Sequence, residues 1–124
     1  MRRVLRWLWM FSGGFAVLFF VSGCSGRIGM RTFENDIQSP DPSVRIKAVI
    51  YAANARDARA IPLIIDRLED EDEAVRISAI ESLRQMTGQD LGYRSFDPPY
   101  LRGQAVARWR HWLKEMAEKN DKKK

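Results

Sequence analysis

The chain has 124 residues, 45% of them hydrophobic and 30% charged, with a formal net charge of +5 and a single cysteine. One cysteine excludes an internal disulfide framework, and the length fits a single domain that can bury a core without disulfides or metal. The surplus of basic residues is concentrated at the two ends, so it does not by itself describe a nucleic-acid surface.

Arg2, Arg3 and Arg6 form a basic start, and from Trp7 to Val21 the chain is apolar apart from Ser12, Gly13 and Gly14. This run is shorter than the ~20 residues a membrane-spanning helix needs. It matches the charged and apolar regions of a secretory signal peptide, followed by the small residues a peptidase requires. Val21-Ser22-Gly23-Cys24 closes the run and resembles the lipobox of bacterial lipoproteins. That resemblance implies cleavage after Gly23 and a thioether from the Cys24 sulfur to diacylglycerol. The plainer alternative is a chance free cysteine in an uncleaved anchor. Two or more acyl chains would hold the chain stably to a bilayer, where one would hold it only marginally. Acylation would also remove a free thiol from an oxidising compartment.

Residues 1–23 are thus expected to be a signal peptide, and 24–31 a short tether. Ser25 stands after the cysteine, where some bacteria place an aspartate that retains lipoproteins in the inner membrane. The expected location is the cell membrane or outer membrane, lipid-anchored on the extracytoplasmic face. Removing Arg2, Arg3 and Arg6 from the 21 Lys+Arg leaves 18 against 16 acidic residues, a net charge of +2. No nucleic-acid partner is expected.

An internal repeat follows. Residues 41–49 (DPSVRIKAV) and 72–80 (DEAVRISAI) share Asp, Val, Arg, Ile and Ala at a fixed offset of 31. Ile37 and Leu68 fall at the same offset, as do Phe33 and Ile64. Asp41 suits a helix N-cap and Pro42 the first helical position. Val44, Ala48, Val49, Ala52 and Ala55 then make an apolar stripe at helical spacing. Asn54 to Asp57 reads as a tight turn. Asp57 can cap the next helix, in which Ile61, Leu63, Ile64, Ile65 and Leu68 are almost continuously apolar. Pro62 belongs in the first turn of that helix.

Glu69 to Glu73 is an unbroken acidic run. It lacks the glycine and spaced ligands of a calcium loop. It reads better as the end of one helix and the start of another, where carboxylates favour the helix N-terminus. No metal or cofactor site is expected. The next helix carries Val75, Ile77, Ala79, Ile80, Leu83 and Met86, and ends at Thr87-Gly88, where Gly88 can take the left-handed conformation. Gln89 to Phe96 is a loop whose Leu91, Tyr93 and Phe96 are expected to pack on the final helix. Asp97-Pro98-Pro99 starts that helix. Leu101, Ala105, Val106, Trp109, Trp112, Leu113 and Met116 lie on one arc; Arg110, His111, Lys114, Glu115 and Glu118 lie on the other. Two tryptophans on the inner arc read as core rather than as a ligand box. Residues 119–124 are expected to be a solvated basic tail.

The pattern Asp-x-x-Val-Arg-x-x-Ala at 41–48 and 72–79, with Arg59-Ala60-Ile61-Pro62-Leu63 opening the second helix, resembles HEAT repeats of the phycobilisome-lyase-like subclass. The ending Thr87 to Tyr93, Pro98-Pro99 and Trp109-Arg110-x-Trp112-Leu113 resembles the C-terminal ending of some bacterial HEAT-repeat proteins. The resemblance implies an all-α fold over 32–118: a short α-solenoid of antiparallel helix pairs with about five helices after the signal peptide. Each pair would bury its apolar face against its neighbours. Asp41, Arg45, Asp72 and Arg76 would be repeat-stacking residues, the Asp capping its helix and the Arg reaching acceptors at the repeat junction. The tryptophan helix would cap the stack.

Three functional readings follow. The first is a non-catalytic protein-interaction or scaffold module in the cell envelope, a single copy bound to an envelope protein. The second is a structural or surface-binding role, in which Lys122, Lys123 and Lys124 touch anionic lipid or cell-wall polymer at no more than ~1 kcal/mol each. The third is an enzyme or a subunit of one, of the bilin-lyase-like HEAT class. Against it, His111 is the only histidine, and the sequence holds no ligand cluster, nucleophile elbow or phosphate loop. Arg45, Lys47, Arg76 and Glu81 are loose candidates for a binding face.

Overall fold

The computed structural model describes residues 32–123. Residues 1–31, and with them Val21, Ser22, Gly23 and Cys24, lie outside the described residues.

The described residues form helices joined by turns and loops, with no strand among them. A short helix, α1, occupies 32–36. Helix α2 is Pro42–Asn54, α3 is Ile61–Asp66, α4 is Glu73–Thr87 and α5 is Pro99–Asp121. Helix α2 packs along α4, and α3 packs on both α4 and α5. The sequence therefore builds two helix pairs, α2/α3 and α4/α5, stacked side by side, with α1 standing where a third α3-like helix would come first. The offset of 31 residues predicts this placement. Phe33 and Ile37 of the first segment are buried, as are their counterparts Ile64 and Leu68.

Each first helix of a pair begins alike. The Asp41 carboxylate accepts from the Ser43 amide at 2.8 Å, with Pro42 in the first turn. The Asp72 carboxylate accepts from the Val75 amide at 3.1 Å. Helix α4 ends on Gly88 with φ +71°, a left-handed cap whose amide donates to the Arg84 carbonyl. Glycine reaches this conformation without the steric cost that a Cβ imposes.

Four details differ from the sequence reading. The continuously apolar segment after Asp57 is not one helix: a 3-10 turn over Ala58–Ala60 precedes α3 and another over Arg67–Glu69 follows it. Pro62 sits in the first turn of α3, where its missing amide costs nothing. In α2 the buried residue is Ala53 and not Ala55, because α2 stops at Asn54 and Arg56, at φ +50°, turns the chain away. Ile77 and Phe96, both expected inside, are exposed. Finally, α5 continues to Asp121, so the first residues of the expected tail are helical while staying exposed.

The core is a single cluster running from Phe33 to Trp109. Trp109 is fully buried and meets Trp112 edge to face, with ring centroids 5.7 Å apart at 78°. Such a pair adds about 0.5–1.5 kcal/mol to the area it buries. Tyr93 leaves the loop to enter the same core, where its hydroxyl donates to the Leu68 carbonyl.

Candidate functional site

The repeated arginines make the junction between the helix pairs. Arg45 Nη1 donates to the carbonyls of Ser39 (2.7 Å) and Pro40 (3.2 Å). Arg76 Nη1 donates to the carbonyls of Asp70 and Glu71, both at 2.9 Å. Each guanidinium thus holds the two carbonyls six and five residues before it, fastening the turn that leads into its own helix. The second arm reaches onward. Arg45 Nη2 donates to the Asp70 carboxylate at 2.8 Å, and Arg76 Nε donates to the Ser95 carbonyl at 3.3 Å. One arm closes a repeat and the other joins it to the next.

Asp70 is the centre of this junction and was not singled out by the sequence reading. Its carboxylate takes Arg45, accepts from Arg67 Nη1 at 3.3 Å, and accepts from the Asp72 amide at 3.0 Å. Its side chain and that of Arg45 are nearly inaccessible, at 3% and 6%. The hydrogen bond to Asp70 holds the Arg45 guanidinium above its ordinary pKa, against the opposing effect of burial. One repeat earlier, Ser39 does the corresponding turn chemistry: its hydroxyl accepts from the Asp41 amide at 3.2 Å. The signal was present, since Ser39 and Asp70 stand at the same offset of 31, two residues before each capping aspartate. The acidic run around Asp70 concealed it.

That run has ordinary employment. Asp70 is paired, Asp72 caps α4, and Glu69 accepts from Arg110 of α5 at 2.8 Å. Among the described residues no group of three or more His, Cys, Asp or Glu side chains is placed to hold a metal ion. His111 is exposed, with Nε2 3.4 Å from a Glu115 carboxylate oxygen one turn on, the spacing of a helix-surface pair.

Arg45 and Arg76 therefore leave the set of surface candidates: both are buried and hydrogen-bonded at the repeat junction. Lys47 and Glu81 are exposed, and Glu81 accepts from Arg84 at 2.6 Å. The sequence reading missed the surface that the fold does expose. Ile50 and Ile77 are 46% and 45% accessible. In the 31-residue register, Ile77 is the counterpart of half-buried Ile46, one turn before Ile50 on the same face of α2. Stacking α2 on α4 thus sets Ile46, Ile50 and Ile77 on the common outer face of the first helices.

Residues 32–118 match the family model for HEAT repeats. No curated protein and no solved structure matched the chain.

Proposed function

The chain belongs to the HEAT-repeat family, and from that premise we propose that it is a membrane-anchored, non-catalytic interaction module of the cell envelope. HEAT repeats suit such a role because stacked pairs present an extended surface. Fold alone does not assign a function; the observation that carries the reading is the outer face. The arginines repeated in both pairs are held inside the junction, while Ile50 and Ile77 stay in solvent. In this reading the exposed isoleucines supply the apolar centre of the interaction face.

Anchoring rests on the lipobox-like Val21 to Cys24. The eight residues 24–31 would let the domain stand at most about 28 Å from the bilayer, within reach of an envelope partner. Repeat stacking by Asp41, Arg45, Asp72 and Arg76 would make the module rigid enough to present its outer face in one shape.

Crosslinking in intact cells tests the reading. The wild-type chain should yield a discrete crosslinked envelope protein. Ile50→Asp with Ile77→Asp should lose that product while keeping the same thermal midpoint, because both side chains are exposed. An unchanged crosslinking pattern in the double variant would refute this face as the site.

A further inference from the structure

The first end of the stack carries an open groove of about 470 Å³ between α1 and α2. Phe33, Val44 and Ala48 form its apolar lining, with Asp36, Lys47 and Tyr51 along it. Repeat register explains why it is open. One repeat on, Val75, Ala79 and Ser82 are buried in the helix that packs along α2. Of their counterparts, Ala48, like Ala79, is buried, but Val44 is only half-buried and Tyr51 is 68% accessible, with no such neighbour over them among the described residues. The opposite end is closed: the loop after α4 is fastened over it by Arg76 to Ser95, and by Arg84 to Asp90 and to the Tyr93 carbonyl. Head-to-tail stacking of copies is therefore blocked at one end.

We propose that this groove is a two-fold interface with a second copy of the chain. Its pattern is self-complementary, as a closed two-fold contact requires. The positions 44, 47, 48 and 51 share one face of α2 and are symmetric about the midpoint between 47 and 48. Antiparallel apposition sets Tyr51 over Val44 of the second copy, with Ala48 small enough for close approach at the axis. Asp36 and Lys47 then meet Lys47 and Asp36 across the interface. Neither side chain forms an ion pair among the described residues, so both charges are free for that exchange. This proposal departs from the single copy expected from the sequence, and it stands independently of the membrane reading.

The full-length chain carrying the photoreactive residue Tyr51→p-benzoylphenylalanine, irradiated in the cells that express it, tests this. The expected product has the mass of two chains, while a control probe at exposed Tyr100 yields none. Lys47→Glu should cut the dimer product about tenfold, because it sets like charges opposite each other. Asp36→Lys combined with Lys47→Glu should restore it. Lys47→Glu and the double variant are checked for an unchanged helical melt. An adduct to lipid, to another protein or within residues 1–31, no adduct at all, equal dimer yield from Tyr100, or indifference to the charge exchange would each overturn the proposal.

Discussion

The residue on which the repeat junction depends is Asp70. It neutralises a guanidinium that is almost wholly out of water and at the same time holds the amide that opens α4. Removing one partner of a buried pair leaves an uncompensated charge, which costs about 3–5 kcal/mol. Asp70→Asn should therefore destabilise the domain by that amount, whereas Asp41→Ala, which removes only an exposed cap, should cost about 1 kcal/mol. Urea unfolding of the two variants checks the ratio; equal losses would show that the Arg45–Asp70 pair is not special. The repeated Asp and Arg were legible because identity at a fixed offset survives in the sequence. Asp70 was not, because its counterpart is Ser39 and its four neighbours in the run are also acidic.

Tyr93 makes a second test at this scale. Burial pushes its hydroxyl above the ordinary tyrosine value, so the folded chain favours the neutral form. Below pH about 10 the phenol is protonated in both states and contributes no pH dependence. Above it the unfolded chain releases its proton first, so stability falls as pH rises. Tyr93→Phe should lose about 1 kcal/mol at neutral pH, the usual worth of one hydrogen bond, and should show a shallower decline above pH 10. An equal decline in both proteins would contradict the assignment.

At the scale of elements, glycines in different backbone settings should respond in opposite directions. A Cβ at Gly88 or at Gly103 would meet nothing within 4 Å, so packing does not separate them. Gly88 has φ +71° at the end of α4, where alanine would be strained by about 1–2 kcal/mol. Gly103 lies inside α5, where alanine gains up to about 1 kcal/mol of helix propensity. Thermal melts should move down for Gly88→Ala and up for Gly103→Ala. The end of α4 was readable from Thr87-Gly88. The division of the segment after Asp57 was not, since an apolar run gives the same pattern for a buried helix and for a helix flanked by 3-10 turns. Phe96 misled for a related reason: an aromatic in a loop suggests packing, but only Tyr93 of that loop is fully buried, and it has both a cavity among core side chains and a carbonyl for its hydroxyl.

At the scale of the whole molecule, architecture was more legible than surface. A repeat of period 31 with Asp, Val, Arg, Ile and Ala in register dictates which faces stack, and the helix pairs follow from it. The outer face and the open groove do not announce themselves, because an exposed isoleucine in a helix looks in sequence like a buried one. Exposure is settled by where neighbouring helices stop: Tyr51 and Ser82 occupy the same register, and only Ser82, in the second pair, is buried. The proposed setting of the molecule rests on the lipobox-like sequence Val21 to Cys24, outside the described residues.

The central claim joins that motif to the HEAT-repeat module, and intact mass spectrometry of the protein extracted from its native membrane tests it most directly. The predicted result is the mass of residues 24–124 plus a diacylglyceryl or triacyl group. The mass of all 124 residues without lipid would contradict anchoring and export, leaving the helical-repeat module to be placed elsewhere in the cell.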